Sequence, residues 1–226
     1  MLTTYEQFLL ENTRYDSDFH AQIEQAVHLH SRTYIKNMSD EQAKEKAKKI
    51  YDRFNTESFK NWFSGSKIKN NDGSPELVHH SSFDEFTKFN TPAFFGSNGT
   101  SNSYDGEYYY YCVLQMKNPL EMRHFELGHD EWMKRVGEMM KDTSRYTERM
   151  KFAEKYSDGY GFFKILQNWI GESYEWPAVY KYIKETGHDG MVYRESNQGI
   201  NWYFDGYLVM KPEQIKIVYL QIDKQE

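Results

Sequence analysis

Eight histidines come first to attention, because imidazole is both a common metal ligand and a proton carrier near neutral pH. His28 and His30 stand two apart, His79 and His80 are adjacent, His124 and His129 are five apart, and His188 is alone. No His-Glu-x-x-His occurs, and no pair has the helical spacing that sets two imidazoles on one metal. Structural or surface histidines, and no metal, are the expectation. No Gly-x-Ser-x-Gly elbow is present to raise a nucleophilic serine. Cys112, the only cysteine, lies inside the aromatic run YYYYCVLQM and reads as a buried, inert thiol. It permits no internal disulfide and no cysteine zinc site. No glycine-rich phosphate loop of the GxGxxG or GxxxxGK[ST] type is found. One polar cluster remains, at the end of an apolar run: Leu77-Val78-His79-His80-Ser81-Ser82, followed by Phe83-Asp84-Glu85-Phe86. Side chains alternate along a strand, so His79 and His80 should face opposite sides.

The elements that position this cluster can be read around it. Phe19, Ile23, Val27 and Tyr34 fall on one face of a helix over roughly residues 16–37. Ser39-Asp40 offers an N-cap to a second helix that carries Ala43, Ala47, Ile50, Tyr51 and Phe54 at helical spacing. Its lysines are interleaved with acids, the mark of a solvated face. SKIKNNDGSPELVHH signals a hairpin, and residues 90–107, rich in Gly, Ser, Asn and Thr, signal an exposed loop. Residues 108–116 form a strand-like run stopped at Asn118-Pro119. Helical patterning returns over 125–186. Trp132, Val136, Met139 and Met140 share one face, and Trp176, Val179, Tyr180 and Ile183 share another. Gly187 has the place of a helix-terminating glycine. DGMVYRE, INWYFDGYLVM and QIKIVYLQI then read as strands, with Pro212 breaking the last two apart. Strands at both ends with helices before and between them predict α+β with a mainly antiparallel sheet, not a doubly wound parallel one.

Composition narrows the class. With 226 residues the chain has the size of one domain, or one domain and an appendage. An aromatic share of 17% excludes global disorder despite a mean hydropathy of -0.89. The net charge of -6 argues against tight nonspecific binding to nucleic acid, which depends on phosphate neutralisation. No apolar run approaches the ~18 residues of a membrane helix, and the first residues lack the basic start and apolar core of a secretory signal. A cytoplasmic protein with no membrane partner is expected.

LVHHSSFDEFTKFN resembles the first NAD-binding segment of the ADP-ribosyltransferase superfamily, in its diphtheria-toxin-like and poly(ADP-ribose)-polymerase-like branch. Ala93-Phe94-Phe95 is similar to the second segment. CVLQMKNPLEM, GHDGMVY and YLVMKPEQIKIVYLQI resemble three later segments of phage-borne and mobile-element members. The order agrees from about Phe59 to Ile222. The resemblance implies a split pair of small antiparallel sheets with NAD, as co-substrate, in the cleft between them. It divides the chain into a helical N-terminal region, 1–58, packed on an NAD-binding core, 59–226.

The resemblance also implies roles. His80 would bond a ribose hydroxyl of NAD, the Ser81 backbone would pair with the nicotinamide amide, and the Ser82 hydroxyl would meet the carboxamide. Phe94 or Phe95 would supply the first aromatic and Tyr104 the second, with Tyr108 as the competing choice. Gly206 stands where the family normally places Glu or Gln, and Asp205 one residue earlier is the expected acid. A bulge at Asp205-Gly206 is expected to turn it toward the site, and Glu213 is the fallback. The function implied is mono-ADP-ribosylation of an intracellular macromolecule, protein or nucleic acid, by a toxin or effector of phage-bacterium conflict, with an antitoxin or inhibitor protein as possible partner. The alternative is a non-catalytic scaffold that binds NAD, ADP-ribose or a protein partner.

Overall fold

Ser39 shows most plainly how local sequence sets an element. Its backbone extends into the β region, its Oγ accepts from Gln42 N (3.3 Å), and its own N–H donates to Gln42 Oε1 (2.8 Å). This reciprocal box satisfies two amide donors that a helix start leaves orphaned. The computed structural model describes residues 18–33, 38–97, 106–141, 146–156, 176–196 and 203–222. Its elements run α1 (Phe19–Thr33), α2 (Asp40–Phe54), α3 (Glu57–Phe63), β1 (Val78–Ser82), β2 (Ala93–Gly96), β3 (Tyr108–Leu114) and β4 (Leu120–Glu121). They continue through α4 (His124–Leu127), α5 (His129–Met140), α6 (Tyr146–Tyr156), α7 (Trp176–Glu185), β5 (Gly190–Ser196), β6 (Tyr203–Val209) and β7 (Ile215–Ile222), with a 3-10 turn at Pro212–Gln214. The class is α+β. The pairs β1–β3, β3–β7, β2–β6 and β5–β6 are antiparallel, and only the short β4–β5 pair is parallel. Among the described residues no helix is long and apolar enough to cross a membrane.

The chain forms two compact units. The first holds residues 1–85, 105–115 and 215–226, and the second 86–104 and 116–214. Helices α1 to α3 therefore belong to the same unit as β1, β3 and β7.

In the first unit, α1 and α2 cover the face of the sheet that carries Leu77, Tyr111, Val113 and Tyr219. Phe19, Ile23, Val27, Ala43, Ala47 and Ile50 are buried there, as their spacing predicts. Tyr34 lies outside the described residues. Ile23 is fully buried, which stabilises by ~2 kcal/mol. Lys48 and Lys49 of α2 pair along their own helix, with Asp52 (2.6 Å) and Glu45 (2.7 Å), on a solvated face, whereas Lys46 donates to Tyr219 Oη (3.2 Å). Between Tyr111 and Cys112 the β3–β7 register slips, leaving Val218 as the extra residue. Arg53 Nη2 donates to its carbonyl (3.1 Å), so α2 meets a backbone acceptor at the place where the ladder is disrupted.

The hairpin expected before β1 is reduced to a single bridge, Lys69 with Pro75. Asn70 takes over its backbone: Nδ2 donates to Ser74 Oγ (3.0 Å) and to the Pro75 carbonyl (2.9 Å). Gln22, buried on α1, donates to Asn70 Oδ1 (3.0 Å) and accepts from Leu77 N (2.8 Å). A helix side chain thus fixes the strand entry in place of a ladder.

In the second unit, β2 corrects the expectation of a loop over 90–107. Ala93-Phe94-Phe95-Gly96 pairs with β6 and buries Ala93 and Phe95. The short apolar run outweighs the turn-forming residues around it. Trp132, Val136, Met139 and Met140 from α5 and Val179 and Ile183 from α7 pack on Met191, Tyr193 and Leu208 of the sheet. Gly187 adopts φ +75° after α7, and the next amide, His188 N, donates back to the Ile183 carbonyl (2.9 Å).

Candidate functional site

The first unit presents the His80 segment. β1 pairs with β3 so that His79 lies opposite Tyr111 and His80 opposite Tyr110. The alternation holds: His79 is 2% exposed on the helix-covered face, whereas His80 and Ser82 share the other face and are half-buried. Ser82 Oγ accepts from Asp84 N (3.1 Å), closing a local turn and keeping its O–H as a donor. Gly106 passes close by. A Cβ there would lie 2.9 Å from both the N and O of Ser82, so this glycine is required by close backbone approach. Tyr108, on β3 opposite Ser82, is buried. Tyr104 lies outside the described residues.

The second unit carries Asp205, Phe94 and Phe95. β2 and β6 pair Phe95 with Tyr207, so Phe95 and Asp205 share a face and Phe94 takes the opposite one. Phe94 packs edge-on against Trp176 (4.6 Å between centroids), among the α5 and α7 side chains. Phe95 is 2% exposed and packs on Phe89 (5.0 Å). The fallback acid, Glu213, is exposed on the 3-10 turn.

The bulge expected at Asp205-Gly206 is absent. β6 runs in unbroken register with both neighbours, Gly206 opposite Gly96 on one side and Tyr193 on the other. The glycine has a different cause. A Cβ at 206 would fall inside the Tyr193 ring, 2.8 Å from its Oη and closer still to Cζ and Cε2. Tyr193 is fully buried, so its ring has nowhere to go. No side chain fits at position 206 while that ring stays in place.

Asp205 sits in an ionic cluster that its sequence neighbourhood does not show. Arg123, at the N-cap of α4, gives its Nε and Nη2 to Glu121 (2.9 and 2.6 Å) and its Nη1 to Asp205 Oδ2 (2.7 Å). All three side chains are about three-quarters buried, with exposures of 24%, 28% and 29% for Arg123, Glu121 and Asp205. Burial pushes the Asp205 carboxyl above its usual range, and the Arg123 and Arg194 charges pull it back only in part. Arg123 is held well above its ordinary value, chiefly by the hydrogen bond to Glu121, so it stays charged at any working pH. The two shifts do not mirror each other, because desolvation outweighs the pair's attraction at Asp205 while Arg123 has a second carboxylate. Arg194, opposite Asp205 on β5, lies over the exposed Phe125 ring (4.4 Å). Sequence reading misses Arg123. The one local sign is Glu121-x-Arg123, a spacing of two that sets opposite charges side by side on extended backbone.

The remaining resembling segments converge on a structural lock. Asp189 accepts from the amides of Lys117 (2.7 Å) and Asn118 (3.1 Å). Asn118 Nδ2 donates to the Gly187 carbonyl (3.1 Å), and Gln214 Nε2 donates to the Asp189 carbonyl (2.8 Å). Asn118-Pro119, Gly187-His188-Asp189 and Pro212-Glu213-Gln214 thus tie the ends of β4, β5 and β6 together.

His124 packs edge-on against His129 (5.8 Å) and Trp132 (5.6 Å), and His28 lies near Glu24 and Asp40. Among the described residues no group of His, Cys, Asp and Glu is arranged to hold a metal. Cys112 is fully buried, and burial pushes its thiol well up, which leaves it protonated and unreactive. No family model, no curated protein and no solved structure matches the chain.

Proposed function

We propose that the chain is an NAD-dependent mono-ADP-ribosyltransferase that acts in the cytoplasm on a protein or nucleic-acid acceptor. The observation that carries this reading is Asp205, a largely buried carboxylate held through one oxygen on the strand that leads into Tyr207. The donor set fits the co-substrate's chemistry. A carboxylate and an imidazole suit ribose hydroxyls, and the Ser82 O–H, whose oxygen already accepts from Asp84, suits a carboxamide oxygen. Asp205 would accept the nicotinamide-ribose 2′-hydroxyl and stabilise positive charge developing at C1′. The C1′–N bond breaks, its electron pair leaves with nicotinamide, the acceptor's heteroatom bonds to C1′, and the acceptor's proton passes to water.

A second reading, a non-catalytic protein that binds NAD, ADP-ribose or a protein partner, is favoured by one observation. The Tyr193 ring stands where any side chain at position 206 would begin. Nicotinamide release separates the two. The enzyme cleaves NAD, and His80→Ala or Asp205→Asn slows it. The binder retains NAD intact.

A further inference from the structure

We propose that Arg123 is the positioning residue for Asp205, held in a fixed plane by Glu121 so that a single guanidinium N–H orients the acid through one of its two oxygens. This deepens the ADP-ribosyltransferase reading and rests on it. The geometry is a relay that begins in α5. Arg135, tied to Glu131 (2.9 Å), donates Nη1 to the Glu121 backbone carbonyl (2.9 Å) and fixes the end of β4. The Glu121 carboxylate then takes Arg123 in a two-point fork and also accepts from its backbone amide (2.9 Å). Such a fork fixes the guanidinium plane as well as its place. With Nε and Nη2 committed, Nη1 is the edge that reaches Asp205, and it lands on Oδ2. Among the described residues Oδ1 receives no hydrogen bond, which leaves it to accept a hydroxyl.

The charged groups that face Asp205 are Glu121 from β4, Arg123 from the turn after it and Arg194 from β5. On β6 itself Asp205 is held by backbone, its carbonyl accepting from Ser97 N (2.8 Å). Among the described residues Arg123 is the cation bonded to the carboxylate. Burial favours the neutral acid, so Arg123 has a second effect: its charge opposes that shift and favours the ionised form. Lysine cannot replace it. An ammonium supplies charge but no plane, and it cannot grip Glu121 at two points while pointing a third donor at Asp205.

The test compares the wild type with Arg123→Gln and Arg123→Lys. Two quantities are read: nicotinamide release against pH, and the Asp205 carboxyl midpoint by carbon-detected NMR. In Arg123→Gln both the midpoint and the acid limb should rise together by about one pH unit or more, the size of effect an adjacent opposite charge has on a carboxyl. In Arg123→Lys the limb should stay near the wild type while kcat falls about tenfold with KM for NAD little changed. A merely structural Arg123 would lower the melting temperature and leave the acid limb in place, and that result overturns the proposal. So does an unmoved midpoint in Arg123→Gln when the wild type turns over NAD. A wild type that cleaves no NAD at any pH instead overturns the transferase reading, and the positioning role with it, even where the midpoint moves.

Discussion

The His80 segment and the Asp205 cluster are built on different principles. His80, Ser81 and Ser82 are polar groups on a strand whose backbone is fixed by its ladder with β3, by Gln22 at its entry and by the close pass of Gly106. Asp205 is fixed by charge, through a side chain whose own position depends on a second carboxylate. A ladder tolerates the loss of one side chain, because the backbone bonds remain. An ion relay does not, because removing one member leaves a largely buried charge uncompensated. Substitutions in the first region should therefore change function without stability, and those in the second should change both rate and titration.

The largest effect belongs to Asp205→Asn. Loss of one contact made to the transition state commonly costs about a hundredfold or more in rate, so nicotinamide release should fall by at least ~100-fold while the Kd for NAD stays within a few fold. A turnover number within threefold of wild type would remove Asp205 from the reaction. The same variant has a stability consequence with a definite sign. The folded carboxyl titrates above its unfolded value, so its contribution is fully present at low pH and is lost as pH rises through the folded value. The wild type should lose stability relative to Asp205→Asn across that window, visible as diverging melting temperatures.

Gly206→Ala comes next. Forcing a methyl into the buried Tyr193 ring should cost about 1–3 kcal/mol, or roughly 2–12 °C in Tm for a chain of this size. Tyr193→Leu in the same chain should recover part of it, since contacting residues are not additive. An alanine variant as stable as wild type would show that the ring can move and that position 206 is open after all.

The adjacent histidines give the sharpest contrast at smaller size. His80→Ala, on the half-buried face, should weaken NAD binding about tenfold by calorimetry and cost less stability than the change at its buried neighbour. His79→Ala, on the buried face, should do the reverse and cost ~1–3 kcal/mol. If both behave alike, the two faces of β1 do not divide the labour. The smallest effect is at the lock. Asp189→Asn keeps one acceptor for two amides and should cost about 1 kcal/mol with NAD cleavage unchanged. A loss of cleavage there at constant stability would move Asp189 from scaffold to site.

Local patterns reach much of this fold and little of its chemistry. The capped start of α2, the apolar stripe of α5 and the glycine after α7 follow from neighbours within a few residues, and so they are visible in the sequence. The His79–His80 alternation is legible for the same reason, since a strand's period is fixed at two. β2 escapes because its few apolar residues lie among turn formers, and only its pairing with β6 across more than a hundred residues makes it a strand. Arg123 escapes because its partner Asp205 is 82 residues away. Gly206 was legible as a glycine with a purpose, but the purpose is a buried tyrosine from the neighbouring strand and not a bulge. Long-range pairing is the information that a single chain's spacing does not carry.

The transferase reading is tested most directly with NAD labelled separately in its nicotinamide and adenine moieties, incubated with the wild-type protein and a cell lysate. The expected result is free labelled nicotinamide together with adenine label that becomes acid-insoluble, sensitive to either protease or nuclease according to the acceptor, and lost in Asp205→Asn. Intact NAD recovered in full, with neither label displaced, would contradict it.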